Sequence, residues 1–186
     1  MLFIGPPGAG KGTQADLVSE RLGIPHVSTG DMFRHHVGEG TEIGKRVKAI
    51  LDSGDYVPDS ITVEMLEDRM ADEDARRGFI LDGFPRTLPQ VEALDELIGR
   101  DGLDRVVVFD VNEDELTERI LARGRSDDTE EAVRNRFKIY QEQTAPLIDL
   151  YRSRGVVVEI DGMGEVEEVT DRILSALADE GGNQGF

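Results

Sequence analysis

The chain has 186 residues, no cysteine and a formal charge of -18, with a pI near 4.5. That length suits one domain burying roughly 70% of its unfolded surface, so it folds without staples. The lack of cysteine excludes disulfides, thiol nucleophiles and thiolate zinc sites, and the acidic balance argues against nucleic acid or anionic membrane as partners.

In chain order, an apolar strand at 2–4 runs into a glycine-rich loop and a helical pattern at 12–22. A short strand around 26–28 precedes amphipathic stretches at 31–37, 41–53 and 60–74. A strand at 79–82, a helix at 88–100 and a strand at 106–111 follow, then helices at 113–122 and 130–154. A strand at 156–160, a helix at 165–179 and a polar tail at 181–186 complete the chain. Continuous apolar strands alternating with helices predict an α/β fold, a five-stranded parallel sheet covered on both faces by helices. Ligands in such sheets bind beyond the carboxyl ends of the strands. No basic leader with an apolar core is present, and no apolar run approaches the ~20 residues of a membrane span. A soluble, cytoplasmic protein is expected.

The loop after the first strand reads "GPPGAGKGT", residues 5–13. It departs from the phosphate-loop pattern G-x-x-x-x-G-K-[ST] only in placing Gly12 after Lys11, so that the hydroxyl arrives one residue later, at Thr13. Glycines let backbone N–H groups approach an anion, the helix N-terminus adds a favourable dipole, and Lys11 can reach β- and γ-phosphates. A plain turn before a helix is the alternative, and loop, lysine and strand–loop–helix context together speak against it. Magnesium ligation would pass to Thr13, or to water held by acids elsewhere.

A second motif, "GFILDGFPR" at 78–86, is an apolar strand ending in Asp82, then a sharp turn carrying Arg86. Asp82 beside a phosphate loop reads as an indirect magnesium partner, and the planar fork of Arg86 suits phosphate. An ordinary turn with an exposed arginine is the competing reading. Nothing near His26, His35 or His36 has ligand spacing, so they read as scaffold or surface.

With "GPPGAGKGTQ" and "GFILDGFPRTLPQ" both present, the chain resembles adenylate kinase of the bacterial type with a short lid. The similarity extends to about residue 178 and takes in "STGDMFR" at 28–34, "RILARGR" at 119–125, Asn135-Arg136 and "DGMG" at 161–164. It implies the P-loop nucleoside monophosphate kinase fold: a core of 1–29, 58–123 and 131–180, a mobile AMP-binding segment at 30–57 and a short lid at 124–130. Gly8, Ala9, Gly10, Lys11, Gly12 and Thr13 would wrap the ATP phosphates, with Arg119, Arg123 and Gly164 as further ATP contacts. Thr29, Arg34, Asp55, Tyr56, Val57, Gly83, Phe84, Pro85, Arg86 and Gln90 would bind AMP. Arg125 and Arg136 would reach phosphates from the lid side, and Lys11, Arg86, Arg123, Arg125 and Arg136 would form the catalytic set. Mg²⁺ would accompany ATP, held through water by Thr13 and Asp82. No structural zinc is expected, because the longer lid insertion that sometimes carries one is absent. ATP, AMP and ADP would be the partners, with no nucleic acid or membrane, and the protein would be a monomer.

The chemistry is consistent with these residue types. An accepting phosphate, with second pKa about 6, needs no strong base at neutral pH. Catalysis then rests on positioning and on cations that absorb crowded negative charge. Arg119 and Arg123, four residues apart, share a helix face, and spacing alone favours a solvated surface; the resemblance reverses that. Asp127 and Asp128 could pair with arginines when the lid shuts, or cap the helix near Glu130. The nearest rival is a UMP/CMP kinase, against which Thr29 and Gln90 favour an adenine acceptor. A non-catalytic nucleotide sensor predicts loss of Lys11, Asp82 or an arginine, and none is lost. A nucleic-acid-binding ATPase fits poorly with the acidity and the lack of a basic stripe.

Overall fold

The computed structural model describes residues 1–112 and 116–179. The expected helical start at 113–115, with its Asp114 and Glu115, and the tail at 181–186 lie outside the described residues.

Strands β1 (Leu2–Ile4), β2 (His26–Ser28), β3 (Ile80–Asp82), β4 (Val106–Asp110) and β5 (Val157–Asp161) form one sheet in the order β2-β3-β1-β4-β5, with every pair parallel. Period-two alternation sends successive apolar side chains to opposite faces. Leu2, Ile4, Leu81, Val106 and Val108 join one buried cluster, while Phe3, Ile80, Val107 and Phe109 join the other. This accounts for the unbroken apolar runs in the sequence.

Helices α1 (Lys11–Leu22), α2 (Thr29–Gly38), α3 (Glu42–Ser53), α4 (Asp59–Met70) and α5 (Leu88–Ile98) precede α6 (Leu116–Arg123), α7 (Glu130–Ile139), α8 (Pro146–Ser153) and α9 (Val166–Asp179). Their starts follow from capping chemistry. Ser28, Thr41, Thr87 and Thr129 each accept a hydrogen bond from the backbone N–H three residues on, as Ser and Thr side chains do at N-caps. Thr129 therefore caps α7, and Asp127 and Asp128 do not.

Three expected helices differ in extent. The stretch 60–74 is α4 followed by a 3₁₀ turn at Glu73–Arg77, and 88–100 stops at Ile98, before Gly99. The expected single helix at 130–154 is α7, a π-helical turn at Tyr140–Thr144, and α8. Pro146 cannot donate a backbone hydrogen bond and clashes with the preceding turn, so it sits at the first turn of a new helix rather than inside an old one.

The α2–α3 hairpin and the stretch up to Val57 form a small separate core with α4, in which Phe33, Val47, Val57 and Met65 are buried together. This segment and the 124–130 turn flank the carboxyl ends of β1, β2 and β3. The register brings Phe3 and Ser28 alongside Asp82. Strand order reverses about β1, where doubly wound sheets open a ligand crevice.

Candidate active site

A cleft of about 360 Å³ opens at that crevice. Gly8, Gly10, Lys11, Gly12 and Thr13 form one wall, at the junction of β1 and α1. Gly8 has φ of 82°, and a Cβ there would fall 2.9 Å from Ile120 Cγ1, so the position requires glycine both for conformation and for the close approach of α6. Ala9 is buried in the core, and its contribution to the loop is through the backbone.

Lys11 Nζ donates to the Gly5 and Pro6 carbonyls at 2.8 and 3.0 Å. Burial pushes its pKa down to about 8, with Arg86 and Arg123 acting in the same direction and Asp82 opposing them. The ammonium therefore begins to lose its charge around pH 8, well below the range of an exposed lysine. A polyphosphate placed beside it would restore the charge, because nearby anions favour the protonated form. Binding of ATP in metal-free buffer is expected to take up protons increasingly as pH rises from about 7.5 to about 9, where the terminal phosphate, with pKa about 6, is already ionised and Lys11 is losing its charge. Titration calorimetry in two buffers of different ionisation enthalpy measures this, and uptake that stays flat across that range would contradict it.

The turn after β3 forms the opposite wall. Gly83 has φ of 85°, and a Cβ there would meet Thr29 Oγ1 at 2.8 Å and Arg86 Nη2 at 2.9 Å. The Gly83 carbonyl accepts from Thr29 Oγ1 at 2.9 Å and from Arg86 Nε at 2.6 Å, which binds β2's end and the Arg86 side chain to one atom. The Phe84–Pro85 peptide is cis, and Phe84 is fully buried in the core while Pro85 lines the cleft. Asp82 is largely enclosed, with Lys11, His26 and Arg86 around it. Burial works against its charge, but His26, Lys11 and Arg86 override it and hold the carboxyl below its usual range.

His26 lies between two carboxylates: Nδ1 is 2.7 Å from Asp16 Oδ1 and the buried Nε2 is 3.7 Å from Asp82 Oδ2. The second distance is too long for a hydrogen bond, so the ring acts on Asp82 through charge. Burial lowers the imidazole pKa, and the two carboxylates more than reverse that.

Arg34, Arg119, Arg123, Arg125 and Arg136 complete the cationic lining. Two buried carboxylates, Asp127 and Asp128, orient Arg123 and Arg136, and the exposed Asp31 meets Arg34 and Arg125. Arg123 bonds both oxygens of Asp128, through Nε at 3.0 Å and Nη2 at 2.8 Å. Arg136 bonds Asp128 through Nη1 at 3.0 Å and Asp127 through Nη2. Asp31 pairs with Arg34, and Arg125 approaches it to 3.7 Å, which links the 124–130 turn to α2. Burial and the crowding of Arg34 and Arg123 push the Arg125 pKa down, as expected where cations gather for an anion.

Asp55, Tyr56, Val57 and Gln90 line the far end of the cleft. Gln90 is 2% exposed; its Oε1 accepts from Arg86 N at 2.8 Å and its Nε2 donates to Asp59 Oδ1 at 2.6 Å. These bonds fix the orientation of the amide and leave one lone pair and one N–H for a ligand. Asp59 went unremarked in the sequence; an acid at a helix start after Pro58 carries no cue that it will meet a glutamine 31 residues away. Asn135 Nδ2 donates to Ser53 O and Asp55 Oδ1, tying α7 to the end of α3. Gly164 stands apart from the cleft lining, on the turn between β5 and α9.

Thr13 and Asp82 are the hydroxyl and the ionised carboxylate available to a cation that accompanies a polyphosphate. Among the described residues no group of three or more His, Cys, Asp or Glu could hold a metal by itself. Such a donor set fits Mg²⁺, which keeps several waters and takes most remaining ligands from phosphate. Also among the described residues, no helix is long and apolar enough to cross a membrane.

A phosphate loop at the end of β1, faced across a crevice by an arginine-bearing turn at the end of β3, defines the P-loop nucleoside monophosphate kinase fold. The adenylate kinase family profile matches residues 3–156. The chain is 54% identical over 187 residues to the adenylate kinase of Leifsonia xyli subsp. xyli, covering 97% of this chain and 94% of that protein. It is 51% identical to those of Kocuria rhizophila and Nocardia farcinica, over 183 and 179 residues, covering 95% of this chain and 97% and 98% of theirs. The chain belongs to the adenylate kinase family, enzymes that move a phosphoryl group reversibly between ATP and AMP to give two ADP.

Proposed function

We propose that the cleft transfers the γ-phosphoryl group of Mg-ATP in line to AMP. An oxygen of the AMP phosphate bonds to the γ-phosphorus as the bond from that phosphorus to the β,γ-bridging oxygen breaks. The electron pair leaves with ADP, and a second ADP is formed. Residues 8–13 cradle the donor phosphates, Arg119 and Arg123 are further donor contacts, and Gly164, outside the cleft lining, would meet only the donor's adenine through its backbone. Thr29, Arg34, Asp55, Tyr56, Val57 and the 83–86 turn hold the acceptor. Gln90, with its amide set by Asp59 and the Arg86 N–H, addresses the adenine edge. Lys11, Arg86, Arg123, Arg125 and Arg136 take up the charge that develops between the nucleotides. Thr13 and Asp82 would hold Mg²⁺, which would supply neutralisation of the donor phosphate charge.

The observation that carries this reading is the single cleft in which Lys11 and the arginines of three separate segments converge. The Arg125–Asp31 approach supports closure of 124–130 over 30–57, which would exclude water as a competing acceptor. The protein acts as a cytoplasmic monomer. Coupled assay of ADP formation with AMP, CMP, UMP or GMP as acceptor tests the substrate assignment. AMP is expected to be used at least about 10²-fold more efficiently than CMP, since an adenine-bonded amide is left unpaired by the wrong base. Faster use of CMP would overturn it.

A further inference from the structure

Three side chains on separate elements form a closed chain around Arg86. Its guanidinium lies over the Tyr56 ring, with Cζ 5.0 Å from the centroid. Tyr56 Oη is 2.7 Å from Thr144 Oγ1, and Thr144 Oγ1 donates to the Arg86 carbonyl at 2.8 Å. A hydroxyl has one hydrogen. Because that of Thr144 goes to the carbonyl, Tyr56 must be the donor to Thr144, and the direction of the whole chain is fixed.

The elements that supply these groups are the ones a closing site must align. Tyr56 ends the segment after α3, Arg86 sits on the core turn after β3, and Thr144 closes the π-helical turn between α7 and α8. Such turns insert an extra residue into a helical ladder and change where the following side chain is presented. Here the turn delivers Thr144, 6% exposed, to the back of the arginine. With Nε spent on the Gly83 carbonyl and one face on the Tyr56 ring, the Nη atoms keep a defined heading.

We propose that Tyr56 and Thr144 form a positioning pair that aims the Arg86 fork at the acceptor phosphate. This rests on the reading of Arg86 as the acceptor clamp. Thr144 borders the same cleft as Tyr56, and its role runs through the Tyr56 hydroxyl and the Arg86 backbone.

The test is steady-state kinetics of Thr144→Val, Thr144→Ser, Tyr56→Phe and the Tyr56→Phe/Thr144→Val double variant, with Arg86→Lys alongside and melting curves for all. Val keeps the shape of Thr and loses the hydroxyl; Ser keeps the hydroxyl and loses the methyl. Thr144→Val and Tyr56→Phe are expected to raise KM for AMP about fivefold to tenfold and lower kcat, with KM for ATP moving less than twofold. Thr144→Ser is expected to stay near wild type, and the double variant to be no worse than the worse single, because both break one chain. Wild-type AMP kinetics for Thr144→Val, equal damage from Val and Ser, or additive losses in the double variant would each overturn the proposal. If Arg86→Lys itself leaves KM for AMP unchanged, the acceptor-clamp reading falls and takes the proposal with it. If Arg86→Lys raises that KM while Thr144→Val does not, the positioning pair alone is refuted.

Discussion

Replacing Lys11 by methionine is expected to lower kcat/KM for ATP by about 10³-fold while shifting the melting temperature by less than about 4 °C. The asymmetry follows from where the ammonium sits. It is partly buried in the cleft wall, bonded to the Gly5 and Pro6 carbonyls, and desolvation already pushes its pKa down to about 8. Folding therefore gains little from the charge, and methionine fills a similar volume. Asp82 keeps His26 and Arg86 as cationic neighbours when Lys11 is gone. The transferring phosphoryl group has no such substitute at the mouth of the loop. Turnover within about threefold of wild type would remove Lys11 from the mechanism, since loss of one well-placed cation costs far more than that.

Arg136→Met is expected to damage both stability and rate. The side chain is 16% exposed, and its partners Asp127 and Asp128 are 5% and 1% exposed. Asp127 Oδ1 is already buried without a partner, so removing the guanidinium strands a carboxylate in the interior. Breaking a buried pair in this way costs about 3 kcal/mol, which lowers the melting temperature by about 6–12 °C. The rate is expected to fall about 10²-fold as well if, as proposed, the guanidinium that Asp127 and Asp128 hold at the cleft also faces the transferring phosphate. The two effects separate genetically. Asp127→Asn in the Arg136→Met background removes the stranded charge and is expected to recover most of the stability and none of the rate. Arg136→Lys is not expected to restore the rate, since an ammonium cannot address two carboxylates and a phosphate in one plane. Recovery of both properties by Asp127→Asn would mean that Arg136 serves the fold alone.

The sheet was legible because β1, β3 and β4 are apolar runs bounded by glycine or polar residues and buried on both faces, while β2 and β5 keep apolar residues on the sheet's buried side. Its five strands fall within about a residue of where the pattern puts them. The phosphate loop and the Asp82–Arg86 turn were legible because local spacing carries their chemistry. What stayed hidden depends on contacts distant in sequence. Nothing near Thr144 announces that Tyr56 and Arg86 converge on its hydroxyl, and Asp59 is indistinguishable from any acid at a helix start until Gln90 packs on it. The break in 130–154 had a visible cue in Pro146, outweighed in the reading by continuous amphipathic spacing on either side. Asp127 and Asp128 allowed two readings, and the cap Thr129 stood beside them; only the fold separates the residue that starts the helix from the two that hold arginines. His26 read as scaffold or surface, and its place between Asp16 and Asp82 emerges only when β2 and β3 pair in register.

The central claim is that a cationic cleft passes phosphate between two nucleotides and denies it to water. Phosphorus NMR of the purified protein with Mg²⁺, ATP and AMP tests it most directly, because ADP and inorganic phosphate are counted together in one sample. Two ADP should form for each ATP consumed, with inorganic phosphate at background and no ATP loss when AMP is left out. Inorganic phosphate accumulating as fast as ADP, with or without AMP, would contradict the account.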